Sequence, residues 1–333
     1  MSWKRITIDD VAKAAGVSRQ TVTRAMKGMA EISPETRARV LRTAEELGYR
    51  PSRFASNLAS RQKGHAIGLV ITSFRNPYFS ELAAEILDVA AARGWQVVMS
   101  SREQGDDLEL IATLSGQVDV IFGYFDTDDQ AALVNAARGV PIVLFERTAT
   151  TPGTHSVDLD FLGGIETLLA GLRSRGASRF GLIESNPSGR PDGYRPTQRR
   201  IAYEELAGEG SEHAVVVADT SISGGADGFR RLLERFPDRD AVLVFNDLMA
   251  IGAVQGAHLL GIAVPEEVRI VGIDGLSLGE VMSPPLSTLS IDRRAVATAA
   301  VEIFATLLEE TGPAPHPPVT RYVVPRPLWR GSA

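Results

Sequence analysis

From His65 onward the chain alternates short apolar runs with longer amphipathic stretches, and this rhythm limits the possible folds more than any other feature. Apolar runs at 67–71, 97–100, 118–122 and 141–145 have strand length, while 77–93, 106–115 and 128–138 carry the spacing of helices. Asn76 is placed to cap the first of these helices and Gly94 to stop it. A second series opens with a helix at 163–175 and continues through strands at 180–183, 215–218, 241–245 and 270–273, with helices after the first three. Short apolar strands separated by helices imply parallel sheets covered on both faces. Two such doubly wound sheets in tandem leave a ligand cleft at the carboxyl ends of their strands.

The first 63 residues follow a different pattern. Thr7, with Asp10 three residues later, has the form of a capping box for a helix at 8–15 that Gly16 closes. Ser18 is then a good cap for the run S-R-Q-T-V-T-R-A-M-K. At about 100° per residue, Arg19, Gln20, Thr23, Arg24 and Lys27 share one arc, while Thr21, Val22, Ala25 and Met26 share the other. One arc is suited to packing and the other is long, basic and amide-bearing. Taken alone, such a helix is an ordinary amphipathic element with a solvated face. The cap, the Gly-Val turn and the neighbouring helix together spell helix-turn-helix, whose second helix enters the DNA major groove. Ser33 and Pro34 start a third helix along which Val40, Leu41, Ala44 and Leu47 recur at helical spacing before Gly48. Its role is read as support.

Charge divides in the same way. Residues 1–63 hold 13 Lys and Arg against 6 Asp and Glu, whereas the remainder holds 22 against 35. A basic head on an acidic body suits phosphate contact by the head alone. At 333 residues the chain exceeds one ordinary core, and with 44% hydrophobic residues but no apolar run near 18 it is not expected to span a membrane. Lys4 and Arg5 are followed by Asp9 and Asp10 without an apolar segment, so no export signal and a cytoplasmic location are expected. The absence of cysteine excludes disulfides and thiolate chemistry.

The segments T-I-D-D-V-A-K-A-A-G-V-S-R-Q-T-V-T-R, S-P-E-T-R-A-R-V and E-L-G-Y-R-P-S-R-F-A-S-N-L closely resemble the N-terminal headpiece of the LacI/GalR (lactose-repressor) family. The resemblance implies a small all-α helix-turn-helix headpiece at 1–50 and a hinge helix at 51–63. It implies an α/β effector-binding and dimerisation core at 64–333, built of two periplasmic-binding-protein-like lobes. Lobe one would take 64–161 and 292–320, lobe two 162–291 and 321–330. The helix at 293–310 would return to the first lobe and 322–324 to the second. On composition alone 52–64 is a plain linker. In relatives it is a hinge that pairs across a dimer and wedges a leucine into the minor groove, where Leu58 holds the matching position.

Candidate DNA contacts are therefore Thr7, Ser18, Arg19, Gln20, Thr21, Thr23, Arg24, Ser33, Asn57 and Leu58. In the core, V-F-N-D-L-M-A-I-G-A, V-G-I-D and R-R-I-A-Y match segments that supply effector contacts in relatives, at Asn246, Asp274 and Arg200. N-P-Y-F-S-E-L adds Tyr78 and Phe79, and Glu146 and Asp158 match further lining positions. Read locally, Asn246 is a helix cap and Asp274 a turn residue. A guanidinium, an amide and a carboxylate together can also hold paired hydroxyls. After Asp219, where many relatives place a stacking aromatic, the chain reads Thr220-Ser221-Ile222-Ser223-Gly224-Gly225, and Ile291 is apolar where some relatives hydrogen-bond. The loop at 187–196, with Arg190, Asp192, Tyr194 and Arg195, is rich in polar groups that compensate. No leucine heptads of tetrameric relatives occur near the C-terminus, so a homodimer is expected.

Neither a dinucleotide fingerprint nor a P-loop occurs, and His65, His155, His213, His258 and His316 are scattered, so no cofactor or metal is expected. Gly275-Leu276-Ser277-Leu278-Gly279 matches a nucleophile elbow after a strand, but Ser283-Pro284-Pro285 interrupts the helix that an elbow needs. The expectation is a non-enzymatic, sequence-specific DNA-binding transcription regulator, a repressor, that binds a palindromic operator as a dimer under control of a sugar-like effector. A solute-binding protein using the core alone and a serine hydrolase at Ser277 are the alternatives.

Overall fold

The computed structural model describes residues 8–26, 32–47, 65–186, 194–211, 213–309 and 315–333. Thr7, Asn57, Leu58, Arg190, Asp192 and the hinge segment lie outside the described residues. The chain divides into two compact units, Met1–Gly64 and His65–Ala333.

The first unit packs α1 (Ile8–Ala15), α2 (Arg19–Met26) and α3 (Pro34–Glu46) around Val11, Ala12, Ala15, Val22, Ala25, Val40 and Ala44. Gly16 turns the chain with φ +64°, a conformation that costs glycine little, and the Val17 amide closes the turn on the Ala12 carbonyl at 3.0 Å. Ser33 caps α3 by accepting from the Thr36 amide at 3.2 Å. Leu41 and Leu47, expected on the packed face of α3, are 40% and 36% exposed. Three short helices enclose too little volume to bury every apolar side chain.

The second unit contains two six-stranded sheets. The first comprises β1 (Ala66–Ile71), β2 (Gln96–Ser101), β3 (Val120–Gly123), β4 (Ile142–Phe145), β5 (Thr154–Leu159) and β11 (Thr320–Val323), in the order β11-β5-β4-β3-β1-β2 and wholly parallel. Helices α4 (Pro77–Ala91), α5 (Asp107–Ser115) and α6 (Gln130–Ala137) link its strands. The second sheet comprises β6 (Phe180–Ser185), β7 (Val215–Ala218), β8 (Ala241–Val244), β9 (Arg269–Asp274), β10 (Ser287–Ser290) and β12 (Arg326–Leu328). Its order is β12-β10-β9-β8-β6-β7, and only β12 runs antiparallel to its neighbour. Around it lie α7 (Phe161–Ser174), α8 (Gln198–Leu206), α9 (Ile222–Arg235) and α10 (Asp247–Leu259). In α10, Gly252 lets the helix meet α9 backbone to backbone, since a Cβ there would fall 1.8 Å from the Ile222 carbonyl.

Helix α11 (Arg293–Glu309) packs on α4 and so returns to the first lobe, as expected. The expected return of 322–324 to the second lobe is not observed: Thr320–Val323 is β11, paired with β5 of the first sheet. A strand that follows a helix already lying on one sheet adds to that sheet. The crossover comes instead at Val324 and Pro325, ahead of β12.

Candidate functional site

In the headpiece, the Ser18 hydroxyl accepts from the Thr21 amide at 3.1 Å and starts α2. Val22 and Ala25 are buried among the other helices, which turns the opposite face outward. Arg19 and Gln20 are exposed at the N-terminal end, and Thr23 and Arg24 are half-buried one turn on. Among the described residues Arg19 forms an ion pair with Asp9, at 3.9 Å between two exposed side chains, a weak contact that leaves its guanidinium available. Thr21 is half-buried and occupied with Ser18, their hydroxyls 2.9 Å apart, and the Ser33 hydroxyl donates to Thr36. Those two serve the helix ends first.

In the core, a cleft of about 1330 Å³ lies between the two sheets, lined from the first lobe by Tyr78, Phe79, Tyr124, Phe145 and Glu146 and from the second by Arg199, Phe245, Asn246 and Asp274. One wall is aromatic. Tyr78, Phe79, Tyr124 and Phe145 meet edge-on or tilted with centroids 5.2–5.4 Å apart, and the Tyr78 and Tyr124 hydroxyls are 3.3 Å apart. Burial raises both phenols, so neither ionises near neutrality.

Opposite stands Arg199, 9% exposed at its side chain, with its guanidinium 4.2 Å from the Phe161 centroid and 4.6 Å from that of Phe245. Burial alone would weaken its charge, but Glu146 and then Asp274 outweigh that and raise its pKa. Glu146, held at φ +53°, accepts from it at 3.0 Å across the two lobes, while its Nε is buried without a partner. Asp274 sits at φ +135°, a strained conformation for a side chain, and its Oδ2 is likewise buried without a partner. Burial, then the neighbouring Asp247, pushes the Asp274 carboxyl well above the usual range. An unsatisfied donor and an unsatisfied acceptor thus belong to two residues that line one cleft, and an unpaired buried group costs about 1–3 kcal/mol.

Asn246 caps α10, its Oδ1 accepting from the Met249 amide at 2.8 Å, and also lines the cleft. The neighbouring Asp247 is structural: it accepts from Thr288 Oγ1 and the Leu276 amide, both at 2.7 Å, tying α10 to the end of the sheet.

Two expected lining residues lie elsewhere. Arg200 points away from the cleft, donating to Glu204 at 2.7 Å and to Tyr194 at 2.8 Å. Its neighbour Arg199 takes the cleft position, because Thr197 caps α8 and fixes a phase in which Arg199, Ala202 and Tyr203 face inward. The signal was present: the apolar Ala202 and the aromatic Tyr203 stand three and four residues after Arg199, not Arg200. Asp158 is buried on β5 beyond the cleft lining, accepting from Thr148 Oγ1 at 2.8 Å.

Residues 7–52 match the family of bacterial regulatory proteins of the lacI type, and 169–333 match the periplasmic binding protein-like domain. The transcriptional regulator AscG of Escherichia coli K12 is 31% identical over 296 residues, which span 86% of this chain and 87% of AscG. The chain belongs to the LacI family of transcriptional regulators. Among solved structures, the Lac repressor dimer bound to operator and the anti-inducer ONPF is 26% identical at a TM-score of 0.75, covering 99% of each chain. A LacI-family regulator from Arthrobacter sp. FB24 in complex with lactose is 29% identical at a TM-score of 0.69, covering 80% of this chain and 99% of that one. This LacI-family chain is a DNA-binding regulator and not an enzyme. The Ser277 hydroxyl donates to Glu81 at 2.9 Å, and a 3-10 turn (Ser277–Val281) stands where a nucleophile elbow places a helix. Among the described residues no helix is long and apolar enough to cross a membrane.

Proposed function

We propose that this regulator is a repressor acting in the cytoplasm, which binds a palindromic operator as a homodimer and responds to a hydroxylated, sugar-like effector in the interlobe cleft. Arg19 and Gln20, exposed at the start of α2, are suited to bidentate contacts with guanine and adenine edges, with Thr23 and Arg24 following along the groove. Thr7, Ser18, Thr21 and Ser33 belong to the backbone-positioning set, and Asn57 and Leu58 to the hinge that pairs at the centre of the operator.

The observation that carries the effector reading is the pair of buried atoms without partners, Arg199 Nε and Asp274 Oδ2, beside an aromatic wall. A sugar hydroxyl accepts from the first while a neighbouring hydroxyl donates to the second, and a pyranose face lies against Tyr78, Phe79 or Tyr124. The lactose bound by the Arthrobacter relative supports that ligand class. Closure on such a ligand shifts the dimer between states that differ in hinge pairing.

The test is selection of an operator from random duplexes with the full chain, followed by titration of the complex with neutral mono- and disaccharides. A two-fold symmetric site released or tightened by one sugar is expected, with that response lost in Asp274→Ala while operator binding persists. An asymmetric site, or an unchanged response in Asp274→Ala, overturns the reading.

A further inference from the structure

The lining of the cleft is rich in charge, and its arginines pair with its carboxylates. Apart from Asp274, whose buried carboxyl is pushed toward its protonated form, five carboxylates line the cleft, namely Asp106, Asp107, Asp126, Asp128 and Glu146, against four arginines, Arg102, Arg147, Arg195 and Arg199. Each of these arginines already has a carboxylate. Arg102 donates to Asp107 at 2.8 Å and meets Asp126, and Arg199 meets Glu146. Arg147 and Arg195 share Asp128, one on each oxygen, at 3.2 and 2.5 Å. Asp128 precedes α6 in the first lobe, whereas Arg195 lies between β6 and α8 of the second. One carboxylate therefore neutralises a guanidinium from each lobe across the mouth of the cleft.

We propose that Asp128 is a specificity-determining residue: by occupying Arg147 and Arg195 it reserves the cleft for uncharged polyhydroxylated effectors and excludes phosphorylated or carboxylated ones. The inference rests on the sugar-like reading of the cleft and adds the charge of its occupant. A phosphate group needs cationic donors that are free, or that gain more from it than from their present partners. Among the described residues of this cleft every arginine has a carboxylate partner, and carboxylates exceed arginines, so an anionic ligand meets net repulsion even though Asp128 and Arg195 are 62% and 82% exposed. A neutral hydroxyl does not face that repulsion. It accepts from an arginine edge or donates to a carboxylate without breaking the pair. The cleft exceeds the roughly 300–1,000 Å³ of ordinary ligand pockets, so its charged end has room for a second sugar ring.

Asp128→Asn keeps the shape of the side chain and releases both guanidinium groups from a full charge. The test is calorimetric titration of the full chain and of this variant with lactose, cellobiose, glucose 6-phosphate and inorganic phosphate. Anion binding at the basic headpiece is common to both proteins, so the reading is the difference between them. We expect the variant to bind glucose 6-phosphate and inorganic phosphate at least about tenfold more tightly than the parent chain, with Arg195→Gln added to Asp128→Asn abolishing the gain. Equal phosphate affinity in the two proteins overturns the proposal. Should the single variant fail to fold, the parent chain still decides: glucose 6-phosphate binding that Arg147→Gln abolishes overturns it, and the absence of such binding supports it. Failure of every neutral sugar to bind the parent chain, with the phosphate gain in Asp128→Asn intact, refutes the sugar reading and leaves the charge filter standing.

Discussion

Arg19 of the headpiece and Arg199 of the core show one residue type used in opposite ways. Arg19 is 71% exposed and close to an exposed Asp9, while Arg199 is 9% exposed, stacked between two phenyl rings and paired with Glu146. An exposed guanidinium keeps its hydration and its freedom, so its energy is realised only when DNA arrives. A buried one has already lost its water, and the protein holds its direction in advance. The surface proposed to read DNA thus contributes little to folding, whereas the surface proposed to read a small molecule is part of the core.

The largest effect expected from that contrast is on stability. Arg199→Leu leaves Glu146 without its cationic partner and should cost about 3–5 kcal/mol, whereas Arg19→Leu should change stability by no more than about 0.5 kcal/mol. Urea denaturation of both variants measures the difference, and equal midpoints would break the comparison. On the operator the order reverses: Arg19→Ala or Gln20→Ala should lose about 1–3 kcal/mol of discrimination between the selected site and its single-base variants. Competition binding at fixed salt gives that number, and an unchanged half-site preference would remove α2 from the groove.

The pH dependence sharpens the contrast further. Asp274, Asp247 and Glu184 all have raised carboxyl pKa values, with burial the leading cause in each. In the folded core these three groups hold protons that the unfolded chain releases at about pH 4, so the stability they contribute is fullest below that pH and is lost as pH rises through the folded values. Asp274→Asn should flatten this fall in denaturation midpoints measured from acid to neutral pH. A steeper slope in the variant would contradict the sign. The smallest effect is at Arg200, whose partners Glu204 and Tyr194 lie outside the cleft. Its replacement by alanine should cost at most about 1 kcal/mol and leave effector affinity unchanged by calorimetry.

The apolar strands at Ala66–Ile71 and Ala241–Val244 were legible in the sequence because their burial on both faces demands runs of Val, Ile and Leu. Thr154–Leu159 was not, although all six of its residues are buried. Its polar members find partners that no local pattern announces, among them Gln130 for Thr154 and Thr320 for Ser156. Ser287–Ser290 hides in the same way, with Thr288 donating to the buried Asp247.

For the headpiece, the sequence by itself determined the caps, the Gly16 turn and the outward arc, because each depends on residues within a few positions of one another. Tyr78, Phe79, Asn246 and Asp274 were named through the resemblance of their segments to the LacI family and not from local pattern. Only the tertiary structure decided that Arg199 pairs with Glu146 across the cleft, that β11 stays with the first sheet, and that Asp128 joins arginines from two lobes. The physical reason is range. Capping and amphipathicity are set by neighbours in the chain, whereas a buried charge takes its partner from whichever strand end the fold brings to it, here 53 positions away for Glu146 and Arg199.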